Sequence, residues 1–216
     1  MVNADHRIKL DRKRKDHGMK PVSMIFVSVI AVFFLAGCTS MNLLNNPRAN
    51  TLSLAGGSMP VNVGLYVTPL FSEYKYKGNC AAEMSTLNYN LGQASVLLFE
   101  DALAQTAKSV AIVDKAPPYA SGKEDIAIVI EPSIESFSED HPVMLRTSKY
   151  EAQIAYKVKV YNKEGKVILE KSYTGTGARS GIATHSPGHN FEIAAGDAMN
   201  DALMKILKDV AQVVNK

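Results

Sequence analysis

Charge of one sign is scarce where this chain would fold. Its 24 Lys and Arg against 21 Asp and Glu give a formal charge of +3, but seven of the basic and three of the acidic residues fall in residues 1–37. From Cys38 onward 17 basic residues face 18 acidic ones, a net charge of −1. That balance removes the electrostatic case for a nucleic-acid partner. Long apolar runs are missing too. The stretch from Met24 to Leu35 has 12 residues, short of the ~20 that a helix needs to cross a hydrocarbon core. There is no internal repeat. The glycine-rich stretch Gly175-Thr-Gly177-Ala-Arg179-Ser-Gly181 lacks the Gly-Lys-Ser/Thr ending of a phosphate loop and the spacing of a dinucleotide fingerprint, so it reads as a flexible exit from a strand. Serines and carboxylates are plentiful, yet no spacing among them marks a nucleophile or an acid–base pair. No catalytic residue and no cofactor is expected.

What is there begins with an address. The 216 residues are 46% hydrophobic and 21% charged, the balance of one globular domain with appendages. From Met19 the chain reads MKPVSMIFVSVIAVFFLAGC: a lysine, a short apolar run, then small residues, the layout of a secretory signal. Its Leu35-Ala36-Gly37-Cys38 ending resembles the lipobox of bacterial lipoproteins. The resemblance implies that the Cys38 thiol carries diacylglycerol, that the leader 1–37 is cut before Cys38, and that the new amino terminus is acylated. Several acyl chains on one residue anchor stably where one is marginal. Thr39, in place of Asp, implies by the same resemblance delivery to the outer membrane, facing the periplasm. The basic extension 1–18 is unusual for such a signal, and Met19 is the expected start.

After Cys38, residues 38–59 are rich in Asn, Ser and Gly without a sustained period, and read as a flexible tether with a reach of roughly 25 Å. The folded domain is expected over 60–216. Val61, Val63, Leu65 and Val67 alternate with polar residues as in a half-buried strand. Asn90 and Gln93 offer a capping box to a helix reaching about Lys108, with Val96, Phe99 and Leu103 as its stripe. Val110–Val113 reads as a short strand, and Ile126–Ile130 as a central strand stopped by Glu131-Pro132. Tyr150–Val160, a turn at Asn162-Lys-Glu-Gly165, and Val167, Leu169 and Tyr173 form a hairpin with one apolar and one charged face. A last helix, capped by Asn190, runs from Phe191 to Val214 with Met199, Leu203, Ile206, Val210 and Val213 buried and Asp201 and Lys205 paired at i,i+4 outside. The order β-α-β-β-β-β-α predicts an α+β fold: a mixed or mostly antiparallel sheet of 4–5 strands with two helices on one face. That order resembles YajG-type lipoproteins and the amino-terminal domain of TolB, which implies an envelope assembly or accessory component, often oligomeric, rather than an enzyme.

Three groups of residues stand out as candidate sites. Tyr74-Lys75-Tyr76-Lys77 interleaves aromatic and basic side chains in a long connection, suited to gripping a protein partner or stacking on a glycan; it equally fits an irregular strand. His185 and His189, four apart, would need further ligands to hold a metal, and also read as an exposed loop that shapes the approach to the last helix. Cys80 is the second cysteine, a shielded thiol or one that pairs between chains. The leading expectation is a lipid-anchored, non-enzymatic envelope component that binds a protein partner or itself, through loops or a sheet edge. A peptidoglycan-binding module is the second, and a metal-dependent hydrolase at His185 and His189 the third.

Overall fold

Fifteen-residue strands are the unusual element here, and they come from the alternation that begins at Tyr150. The computed structural model describes residues 40–44, 58–80, 85–118, 125–140, 148–181 and 187–215, all within the unit Cys38–Lys216. In chain order these form β1 (Ser40–Leu43), β2 (Met59–Tyr66), α1 (Pro69–Ser72), β3 (Tyr76–Cys80), β4 (Ser85–Tyr89), α2 (Leu91–Thr106), β5 (Ala107–Val113), β6 (Ile126–Asp140), β7 (Ser148–Asn162), β8 (Val167–Gly181) and α3 (Pro187–Val214). The α+β class is as expected. The main sheet has five strands in the order β5-β2-β6-β7-β8. β2 runs parallel to β5 and β6, while β6, β7 and β8 form an antiparallel meander. α2 covers β2 and β5, and α3 covers β7 and β8. The seven expected elements are all present in their expected order; β1, α1, β3 and β4 are additions.

The core follows the alternation. Ile154, Tyr156, Val158 and Val160 of β7 are buried beside Ile128, Ile130 and Phe137 of β6, and Lys157 and Lys159 point the other way. Tyr156 brings a hydroxyl into this core, which hydrogen-bonds the buried Ser95 hydroxyl at 2.7 Å; burial raises its pKa well above the usual phenol value, against the lowering effect of that bond. The expected turn closes β7 onto β8: the Gly165 N–H donates to the Asn162 carbonyl at 3.0 Å, and Gly165 takes φ +81°, a conformation that glycine adopts without strain.

Several expectations need correction. Glu131-Pro132 does not stop β6, which continues to Asp140. Pairing with β2 ends at Ile130, and among the described residues no strand is hydrogen-bonded to that flank of β6 beyond it, a setting that tolerates a residue with no N–H. Gly175 and Gly177 are not a flexible exit but interior positions of β8. A Cβ on Gly175 would run into the Ala198 carbonyl of α3, and one on Gly177 into the Ala194 carbonyl. α3 can therefore lie backbone-to-backbone on the strand, with Ala194, Ala195, Ala198 and Ala202 fully buried between them. α3 itself starts at Pro187 rather than after Asn190, proline being favoured at a first helical position. Asn90 does precede α2 but makes no side-chain cap; the Gly92 N–H donates instead to the Tyr74 carbonyl at 2.9 Å. Leu98 and Leu91 join Phe99 and Leu103 in the buried stripe of α2, while Val96 is half-buried, as is Val213 in α3.

Part of the stretch 38–59, expected as a tether, falls among the described residues. Ser40–Leu43 forms β1, paired in parallel with β4, which pairs antiparallel with β3 on its other side. Leu44, just after β1, is buried, and its N–H donates to the Glu192 carboxylate of α3 at 3.1 Å. This second, three-stranded sheet packs on the far part of β6: the Tyr76 ring lies 4.9 Å from Phe137 and 5.9 Å from Tyr89, and the Tyr89 hydroxyl donates to the Glu139 carboxylate.

Candidate docking edge

A five-stranded open sheet has two edges, and each must satisfy or expose a row of backbone N–H and C=O groups. Part of the β8 edge is clasped by α3. Asp201 accepts from the Thr176 N–H at 3.0 Å, and the Lys205 ammonium donates to the Thr174 carbonyl at 2.8 Å. The two side chains are joined to each other at 2.8 Å, so the expected i,i+4 pair is a clasp across a strand edge rather than a solvated decoration. Burial raises the Asp201 pKa, but the Lys205 ammonium and the Thr176 N–H outweigh it and hold the carboxyl below its usual value. One turn further on, the Lys171 ammonium bonds Asp209 at 2.7 Å, and the Tyr173 hydroxyl donates to the same carboxylate at 3.1 Å.

Removing the clasp tests this. The Asp201→Ala/Lys205→Ala variant should keep its fold, because surface positions seldom cost more than ~0.5 kcal/mol beyond the local bonds lost. It should, however, self-associate with rising concentration, as read by sedimentation velocity. A depressed Asp201 pKa means that its stabilising effect is present above the unfolded carboxylate value and lost as pH falls through the lowered one, so the wild type should begin to associate only at the acid end of that window.

Among the described residues the β5 edge has no such cover: there β5 pairs with β2 alone, and no side-chain bond to its outer backbone groups is seen. Lys108, Ser109, Ala111 and Ile112 are exposed, Ile112 to 53%. Ile112 is registered with Leu65, which is fully buried, so it sits on the helix-covered face at the margin where α2 ends its cover. Val110, on the same face, is half-buried against the core. On its inner side the strand is held firmly: the Ser109 hydroxyl donates to the Asn62 side chain at 2.8 Å. Among the described residues the result is a seven-residue edge with one charge, Lys108, and an exposed isoleucine. Leu70 in α1, 89% exposed, follows the end of β2.

The residues singled out from sequence fall elsewhere. Tyr74 and Tyr76 are half-buried and pack against the core, while Lys75 and Lys77 are exposed. Burial, with Glu139 and Tyr74 nearby, raises the Tyr76 phenol pKa. The four do not form an aromatic platform; Tyr76 and Lys77 belong to β3 and Tyr74-Lys75 to the approach to it. His189 is exposed in the first turn of α3, whereas His185 and Cys38 lie outside the described residues. Cys80 ends β3. Among the described residues no group of three or more His, Cys, Asp or Glu could hold a metal ion, and no helix is long and apolar enough to cross a membrane. The outer ends of β6, β7 and β8 form an open cavity of about 550 Å³ with a mixed lining that includes Ser138, Asp140, Glu151, Ala152, Gln153 and Thr176. Sequence reasoning missed Ile112, because an apolar residue in a short strand carries no mark of an edge position.

No protein-family model matches the chain, and no curated protein matches it. Among solved structures it is similar to a Xanthomonas campestris protein of the family DUF330, at 12% identity over 82% of this chain and 97% of that one, with a TM-score of 0.48. It is similar also to a hypothetical protein from Chlamydia trachomatis (12% identity, 72% and 98% covered, TM-score 0.45) and to a minor lipoprotein from Acinetobacter baumannii (8% identity, 70% and 92% covered, TM-score 0.36). Likeness this distant assigns no function to the chain.

Proposed function

We propose that the protein is a lipid-anchored component of a bacterial envelope, acylated on Cys38 at the periplasmic face of the outer membrane. It acts without catalysis, by taking an extended segment of a protein partner along the free edge of β5. The Leu35-Ala36-Gly37-Cys38 sequence supports the anchor. The contrast between the two sheet edges carries the binding role: an edge with no clasp among the described residues, beside one clasped at Thr174 and Thr176 by Lys205 and Asp201, is a template for strand addition, in which main-chain bonds give affinity and alternate side chains give specificity. A partner strand with apolar residues on the helix side would cover Ile112 and Val110. Tyr76, packed on Tyr89 and Phe137, and Tyr74, half-buried against the core, do not favour the glycan reading.

A photo-crosslinking residue at Ser109 should trap a discrete protein adduct in cells, and one at Ser172 on β8 should not. Ile112→Lys should reduce the Ser109 adduct about tenfold, since it replaces roughly 1 kcal/mol of apolar burial with a charge, and leave the melting temperature unchanged. Equal adducts at both edges, or none affected by Ile112→Lys, would overturn the assignment. Mass spectrometry of the detergent-extracted chain should find its terminus at acylated Cys38.

A further inference from the structure

The anchor and the fold sit too close together for a tether. Resting on the acylation of Cys38 just proposed, we infer that one end of the domain is seated directly on the lipid surface, and that the fold, not a linker, sets how far β5 stands from the membrane. Only Thr39 separates Cys38 from Ser40, the first residue of β1. Two residue steps span at most ~7 Å. Ser40 is registered with Thr86, and Thr86 with Asn79. β3 runs alongside β6 in the same sense: Tyr76 meets Phe137, and two residues on, a Cβ at Gly78 would meet the Glu139 carboxylate. The row holding Ser40 is therefore level with the end of β6 at Asp140, which is registered with Glu151, while Tyr150 is registered with Arg179.

Among the described residues this end presents charge: Arg179 and Lys149 are exposed, and Lys149 is paired with Glu151, side chains that fit a headgroup layer. The exposed large hydrophobic residues among those described, Leu70, Ile112, Val167 and Ile168, lie elsewhere. β2 leaves β6 at Ile130, ten residues before Asp140, and at about 3.3 Å per residue the long strands hold the β2–β5 pair ~30 Å from the seat. Three fifteen-residue strands, bonded side by side and backed by α3, act as a strut between the membrane and the docking edge.

The test uses the full acylated protein on phosphatidylethanolamine–phosphatidylglycerol vesicles whose headgroups carry a nitroxide. A fluorescent amino acid at Arg179 should be quenched several-fold more than one at Ser109. Inserting a flexible Gly-Ser segment between Thr39 and Ser40 should abolish that difference, while vesicle binding and melting temperature stay as in the wild type. Bound protein with equal quenching at the two positions, or a difference that survives the insertion, would overturn the seat. Protein that does not bind the vesicles at all overturns the acylated anchor, and the seat with it.

Discussion

Gly175→Ala should destabilise the domain by ~3 kcal/mol, at the upper end of what overpacking costs, and lower its melting temperature by about 10 °C for a chain of this size. The obstacle to the new methyl group is not a side chain that can turn away. It is the Ala198 carbonyl and the Ala202 N–H of α3, and moving them means lifting the helix off β8. Ala194, Ala195, Ala198 and Ala202 have no methylenes with which to fill the gap that this would open. Gly196→Ala gives the opposite sign from the same helix. Nothing lies within 4 Å of a Cβ there, so the change should stabilise by up to ~1 kcal/mol through helix propensity alone. Denaturant midpoints of the two variants check the pair. If Gly175→Ala unfolds with the wild type, α3 does not lie on β8 as described.

These glycines also show where sequence reasoning ended. Gly175-Thr-Gly177 carries no apolar side chain, so hydrophobic periodicity falls silent there, and the stretch looks like loop. It is strand because β7 supplies a long alternating partner and α3 supplies a face of alanines; neither fact is local. Pro132 misled for the complementary reason. A proline argues against a central strand, but β6 is central only as far as Ile130, and its second half has a partner on one side alone. β1 is four residues long and pairs with a strand more than forty residues away, below any periodic signal. What was legible was what local pattern controls: the seven expected elements, their order, and the hairpin turn at Gly165. The docking edge was not, since edge and centre differ only in who pairs with whom. The Asp201–Lys205 pair was visible as a spacing, but its service to Thr174 and Thr176 depends on the docking of α3.

The second large effect concerns Cys38→Ala, exported by an efficient ordinary signal peptide. The buried set from Met59 to Ala211 makes a complete core with two amphipathic helices, so the released domain should fold and bind its partner in solution with unchanged affinity. It should nonetheless fail to support the cellular function. On the proposed reading, anchoring holds the protein at the surface where its partner would be met and raises their effective concentration, an advantage of order 10²–10⁴ in apparent affinity that release would remove without touching a contact. Release would also remove the inferred height of β5 above the lipid. The two losses separate by experiment. Joining a transmembrane helix directly to Thr39 should restore function, because it returns both confinement and height; joining it through a long flexible linker should restore confinement alone and rescue only in part. Full complementation by the unanchored domain at native expression would mean that neither the membrane nor the strut matters, and would leave strand addition at β5 as a solution-phase activity.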